Sequence, residues 1–300
     1  MSKRTQASSY QVVTDRILAL MDNGQVPWRK PWSSLAAGGP RNLDGRPYRG
    51  VNIWTLAGQD YADPRWLTYR RAHAMGAQVR RGERSSPVVY WRWPERPKDG
   101  EGEVTGVTQP RRFPLLRYYS VFNVSQVDGL GLAPIDTSRP PEFDSIAEAE
   151  YAIDNMPNPP RLTSAGGDRA YYNRRDDSVH LPRRDTFSSP QGYYDTAYHE
   201  LGHATGHESR VGRHTGDSQP FGSADYGREE LVAEFCSAYL CQHAGLDAAV
   251  LPNQAAYIQG WTQAVKNDPQ LLVIAAAQGQ KAADYILGTY AQEEAKCTAC

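Results

Sequence analysis

Cysteine is scarce in this sequence and comes late. The four residues are Cys236, Cys241, Cys297 and Cys300, and none falls in the first 235 positions. That excludes a disulfide framework as the organising device. Cys297 and Cys300 form a CxxC, which supplies two of the four ligands of a structural zinc site. No second pair stands near it, so it reads as a tail feature. Long apolar runs are missing too: the longest, Leu271 to Ala277, is far too short to cross a bilayer. The first residues, MSKRTQASSYQ, lack the apolar stretch of a signal peptide. A cytoplasmic protein without membrane contact is expected. No internal repeat occurs, and no zinc-finger, helix-turn-helix or RRM signature supports sequence-specific nucleic-acid reading. Oligomeric state leaves no mark.

What is present suits a globular protein. The 300 residues are 40% apolar and 22% charged, with 26 Gly and 21 Pro. That length accommodates two ordinary domains. Net charge is only -1, yet it is unevenly spread. Residues 1–130 hold 20 Lys and Arg against 11 Asp and Glu; residues 131–300 hold 13 against 23. Six of the seven Trp precede residue 94. A basic, Trp-rich half followed by an acidic half predicts two domains with different partners. The boundaries expected are 1–130, a Pro/Gly linker over 131–144, and 145–300.

The fold class expected is α+β. Apolar spacing predicts a helix over 10–23, closed by Gly24, and another over 68–75, closed by Gly76. Residues 78–93 read as two strands around a turn, 94–106 as a charged loop, and 115–124 as a strand. The second half reads as mostly helical with a short sheet. Ser145 and Glu148 have capping-box spacing, and 169–181 reads as a strand pair. Ser189-Pro190 opens a helix running to Gly206. Further helices are expected over 228–243, after Asn253, and over 271–290 with a break near Gly279.

The sharpest chemical signal is His199-Glu200-Leu201-Gly202-His203. Positions i and i+4 share a helix face, so both imidazoles can reach one ion. Glu200 stands where a general base can act on a metal-bound water. A hydrolytic site needs a third ligand. The metzincin pattern would require His at position 209, which is Ser209. His207 follows one turn after His203, but Gly206 ends the helix and turns it aside. The better source is Arg228-Glu229-Glu230-Leu231-Val232-Ala233-Glu234, where Glu230 and Glu234 are i and i+4 beside an apolar face. This resembles the gluzincin arrangement, in which a second helix bears two acids. The resemblance implies that Glu230 is the third ligand and that Glu234 orients a ligand His. Glu234 stands where Asp is usual, which leaves the two roles exchangeable. Zn2+ is the ion expected, with Mn2+ also suited to a His/His/Glu set. Residues 170–173 and 179–182 are the candidate substrate-holding hairpin. Tyr171, Tyr172, Tyr226 and His207 are candidates for stabilising an oxyanion.

The first half interleaves Arg with aromatics, and 17 of its 20 basic residues are Arg. Arg neutralises phosphates, and any base can stack on Trp or Tyr. The combination favours single-stranded nucleic acid. Trp54 and Trp66 sit among apolar residues and are expected in the core. The candidate DNA contacts are Trp28, Arg29, Lys30, Trp32, Arg49, Tyr69, Arg70, Arg71, Arg80, Arg81, Arg84, Trp91 and Arg92.

Taken in order, several motifs resemble the N-terminal domain of ArdC-type antirestriction proteins. They are W-x-x-P-W at 28–32, Tyr48-Arg49-Gly50 within 42–52, W-x-T-Y at 66–69, V-R-R-G-E at 79–83 and V-F-N-V-x-Q at 121–126. The same region is similar to the N-terminal part of TraC-type plasmid primases. HELGHATGH, R-E-E-L-V-A-E and the stretch 275–287 resemble the zincin-like metallopeptidase domain of the same family. The resemblance implies a bacterial protein of a mobile element. It implies an N-terminal domain that binds single-stranded DNA without strong sequence preference, and a C-terminal domain that holds zinc or a similar ion. It implies protection of incoming DNA from host restriction, with possible hydrolysis of a host protein. The other reading is a metallopeptidase whose basic half recruits its substrate.

Overall fold

The computed structural model describes residues 8–22, 26–28, 38–92, 115–133, 135, 145–164, 167, 169–213, 224–246 and 254–290; for 145, 224–226 and 254–260 it describes the backbone alone. The fold is mixed α+β. Helix α1 (Ser9–Met21) starts where Ser8 caps it, its hydroxyl accepting from the Gln11 amide at 3.1 Å. Its Val13, Ile17 and Met21 are buried.

A four-stranded sheet follows, in the order β1 (Arg41–Asn42), β2 (Arg65–Leu67), β5 (Leu115–Asn123), β4 (Ser86–Arg92). Strands β4 and β5 form a long antiparallel ribbon, with Ser86 opposite Val121 and Arg92 opposite Leu115. The two strands expected within 78–93 are present on either side of a turn, but they do not pair with each other. Strand β3 (Gln78–Val79) pairs instead with β6 (Val127–Asp128). The reason lies in the turn: Gly82 adopts φ 90°, and Arg80 donates to the Ser125 carbonyl at 2.6 Å. This ties the end of β3 to the 125–126 segment, while β4 takes the longer partner in β5. Helix α2 (Val51–Ala57) occupies a stretch that carried no sequence expectation. Its Asn52 amide donates to the Val89 carbonyl and accepts from the Val89 amide, both at 2.8 Å. That side chain satisfies one step of the open edge of β4. Helix α3 (Tyr69–Ala74) is capped by Thr68.

The second half comprises α4 (Ser145–Asp154), the sheet β7 (Arg161–Thr163), β8 (Tyr171–Asn173) and β9 (Ser178–His180), then α5 (Pro190–Ala204), α6 (Ala224–His243), α7 (Gln254–Asn267) and α8 (Leu271–Ile286). Strand β9 lies in the middle, antiparallel to β8 as expected and parallel to β7. Helix α8 runs unbroken through Gly279. A Cβ there would stand 2.5 Å from the Phe235 Cβ and 2.9 Å from the Val232 carbonyl. The glycine permits close approach of α6, and it does not interrupt its own helix.

One apolar core unites residues of both halves, among them Val13, Ile17, Trp28, Trp54, Tyr198, Phe235 and Leu272. Trp28 was a candidate DNA contact and is corrected here: it is 1% exposed, and its ring centroid lies 4.7 Å from that of Phe235. Trp54 stacks on Tyr239 at 5.3 Å. Trp54 and Trp66 are buried as expected. Residues 136–144 of the expected linker, the 94–106 loop, Asn253 and the CxxC lie outside the described residues.

Candidate metal centre

Helix α5 carries the HExxH motif in its last turns. Ser189 caps its start by accepting from the Gly192 amide at 3.2 Å, and Pro190 fits the first helical position. Helices α5 and α6 lie side by side in antiparallel register. Ser237 donates to the Asp195 carboxylate at 2.5 Å, fixing one end of that register in the buried interior. Gly202 sets the separation: a Cβ on it would stand 3.1 Å from the Ala233 Cα and 3.2 Å from the Cys236 Cβ. A side chain at this position requires α6 to give by a few tenths of an ångström.

This register brings together His199, His203 and Glu230, whose ligand-capable atoms all lie within 4.8 Å of one another. The two Nε2 atoms are 3.1 Å apart. Glu230 faces both, with oxygens 3.5 Å from His199 Nε2 and 3.6 Å from His203 Nε2. Nitrogens that each stand about 2.1 Å from one ion lie within about 4 Å of each other, so the three donors fit a divalent cation. Glu234 is 7% exposed and faces the far side of His199, 3.9 Å from Nδ1. Glu200 is buried on the same helix. Burial alone disfavours a charged His199. The hydrogen bond it donates to Glu230 and the charges of Glu234 and Glu200 outweigh it and hold the imidazole up at about 9. So much negative charge around a half-closed site suits a cation.

Two participants had no role in the sequence expectations. Glu229 stands 3.5 Å from His203 Nδ1, and Arg213 grips Glu229 with contacts of 2.7 and 3.2 Å. Glu229 was visible as the neighbour of Glu230. Its role depends on the helix register, which spacing alone does not reveal. His207 lies past the helix end, 2.8 Å from the Ser209 hydroxyl, consistent with its being turned aside. Tyr172 donates to Asp177 at 2.8 Å, and burial with that acid beside it pushes its hydroxyl up to about 12. Tyr171 is exposed and stacks on His180 at 5.2 Å. The Tyr226 side chain lies outside the described residues.

The candidate DNA contacts do not share one environment. Arg29, Lys30 and Trp32 lie outside the described residues. Tyr69, Arg70, Arg71, Arg80, Arg81, Arg84, Trp91 and Arg92 are exposed. Arg71 reaches Asp44 at 3.3 Å, and Arg80 is held by Glu83 at 2.8 Å. Arg49 is tied to the buried Asp284 of α8, so it joins the two halves. The ribbon also presents Tyr90, Arg117, Tyr118 and Tyr119, all exposed. Arg117 lies directly opposite Tyr90, whose ring is 5.7 Å from that of Tyr119.

An HExxH helix with an acid from an antiparallel neighbour, beside a short sheet, defines a zincin-like domain, here fused to a basic α+β half. The comparisons agree. Residues 158–278 match the family model described as zincin-like metallopeptidase, and residues 7–122 match that of the N-terminal domain of the anti-restriction factor ArdC. The Mn(II)-bound crystal structure of antirestriction ArdC protein from plasmid R388 is 36% identical, with a TM-score of 0.70 over 94% of this chain and 98% of that one. A metal-free structure of the same protein is 37% identical, also at 0.70. The DNA primase TraC of Escherichia coli is 36% identical over 293 residues, of which this chain spans 27% of the length. The uncharacterized protein y4eC of Sinorhizobium fredii (strain NBRC 101917 / NGR234) is 35% identical over 291 residues, covering 94% of this chain and 92% of that protein. This chain belongs to the ArdC antirestriction family. Among the described residues no helix is long and apolar enough to cross a membrane.

Proposed function

We propose that this is an antirestriction protein of a bacterial mobile element, acting in the cytoplasm, which coats single-stranded DNA and holds a divalent ion on His199, His203 and Glu230. The observation that carries the metal half is the convergence of those three donors from two helices. The ion is Zn2+ or Mn2+; the R388 relative holds Mn(II). A divalent ion in such a site supplies Lewis acidity and an acidified water. Glu200, one residue from His199 and buried, is the group that takes a proton there. Glu234 orients His199 from behind.

The ribbon supports the DNA half. Tyr90, Tyr119, Arg117 and Arg92 share one face of β4 and β5, because residues paired across the ribbon, and residues two apart, point the same way. A π-surface beside guanidinium groups suits unstacked bases and their phosphates, and a stacked base contributes about 1–3 kcal/mol. Arg70, Arg81, Arg84 and Trp91 extend the exposed basic and aromatic surface.

The test is fluorescence anisotropy with a labelled single-stranded oligonucleotide, competed with duplex across a salt series. The reading expects salt-sensitive binding that prefers the single strand. Equal competition by duplex contradicts it. A second reading, a metallopeptidase whose basic half recruits a host protein, is favoured by the family of residues 158–278. Glu200→Gln separates the two: protection of incoming DNA survives the change if strand coating carries it, and is lost if peptide hydrolysis does.

A further inference from the structure

We propose that Glu229 and Arg213 form a positioning pair that fixes the His203 ring for metal binding; the inference rests on the metal reading above. Each imidazole of the HExxH motif has its Nε2 toward Glu230 and its Nδ1 toward a different acid. For His199 that acid is Glu234; for His203 it is Glu229. The symmetry follows from the antiparallel register. His199 and His203 are about one turn apart on α5, and Glu234 and Glu229, five residues apart, are about one and a half turns apart on α6, in the reverse order. Glu230, one step from Glu229, turns between them.

Glu229 does not stand alone. Arg213 meets both of its oxygens, Nη2 to Oε1 at 2.7 Å and Nε to Oε2 at 3.2 Å. The same guanidinium donates to the Gly202 carbonyl and to the Thr205 hydroxyl, each at 2.6 Å. Those two groups belong to the last turn of α5, where carbonyls lack helical partners. One partly buried arginine therefore joins the end of the HExxH helix to the acid behind its second histidine. A planar, five-donor group can make all these contacts at once, and a lysine cannot. The side chain is 10% exposed, so water does not substitute readily. With the Glu229 carboxylate behind it, 3.5 Å from Nδ1, the ring is held to present its Nε2 lone pair to the ion. A carboxylate in this position is a general means of fixing the tautomer and rotation of a ligand imidazole, and its loss costs about 10–100-fold in metal affinity.

The experiment is calorimetric titration of the metal-free full chain with Mn2+, repeated with Zn2+, on wild type, Glu229→Ala, Glu229→Gln and Arg213→Lys. Metal-free melting temperature is measured alongside, with 15N chemical shifts of the His203 ring in the metal-free form. We expect wild type to bind one ion. Glu229→Ala loses about 10–100-fold in affinity, and Glu229→Gln, which keeps an acceptor, loses less. The His203 Nδ1–H signal becomes mixed in Glu229→Ala, and Arg213→Lys falls between wild type and that variant. Unchanged affinity and an unchanged His203 tautomer in Glu229→Ala overturn the inference while leaving the metal reading intact. A loss of affinity matched by an equal fall in Glu229→Gln, with the tautomer unaltered, also overturns it. Absence of binding by wild type overturns the metal reading and this inference together.

Discussion

The α5–α6 pair and the β4–β5 ribbon show two ways of placing functional groups. In the helix pair, every participant lies within one turn of another along its own helix: His199 and His203 on α5, Glu229, Glu230 and Glu234 on α6. Local helical geometry fixes their relation, and only the register between the helices comes from tertiary structure. In the basic half, the relevant side chains come from distant segments, and the fold decides which of them face solvent. Trp28 and Trp91 are similar as sequence: each is a Trp beside an Arg in a basic, aromatic context. Trp28 is 1% exposed against Phe235, and Trp91 is 42% exposed at the end of the ribbon. A site assembled along helices is more compact in sequence than a surface assembled from strand faces.

The largest expected effect tests whether the two regions are energetically separate. Trp28→Ala removes a ring that packs on both Phe235 and Trp261, across the halves. The cost is about 3–5 kcal/mol, as for large core aromatics. A thermal melt should move as a single transition in which the signals of both halves fall together. A melt in which only the first half shifts would break the shared core into two.

Next comes acid stability in the second half. The Arg210 hydrogen bonds hold the Asp177 carboxyl below its ordinary value of 3.8, with Tyr172 adding to them against the opposing effect of burial. A carboxyl lowered in the folded state stabilises it above the unfolded value, and that contribution is lost as pH falls through the folded value. Wild type should therefore lose stability below about pH 3.8 more steeply than Asp177→Asn. Asn tolerates the φ of 48° at this position, so the comparison removes the charge and one acceptor without straining the backbone. Parallel acid-denaturation curves would remove Asp177 from the account.

The smallest expected effect lies on the basic surface. Arg71 is exposed, and so is its partner Asp44 at 3.3 Å. Arg71→Ala should change folding stability by no more than about 0.5 kcal/mol. If Arg71 contacts a phosphate, the salt slope of oligonucleotide binding falls by about one. An unchanged slope would remove Arg71 from the contact surface and sharpen attention on the ribbon.

Much of this structure was legible in the sequence, for reasons that differ by element. Helix α5 could be read because cap, proline and HExxH spacing all agree within 15 residues. The β8–β9 hairpin was legible because its partners are close in sequence. The two strands of 78–93 were legible but their partners were not, because β4 finds its partner beyond residue 114, and periodicity says nothing about long-range pairing. Gly279 was misread because a glycine that breaks a helix and one that admits a neighbour look alike until α6 is in place. Glu229 and Arg213 went unassigned for the same reason: their contacts depend on a crossing and a return of chain, not on spacing.

Whether His199, His203 and Glu230 together hold one divalent ion is decided by metal content. Wild type and His203→Ala would be purified identically, equilibrated with Zn2+ or Mn2+, freed of excess ion and assayed for bound metal by mass spectrometry. Wild type should carry one ion per chain and His203→Ala close to none. Equal metal in the two proteins would contradict it.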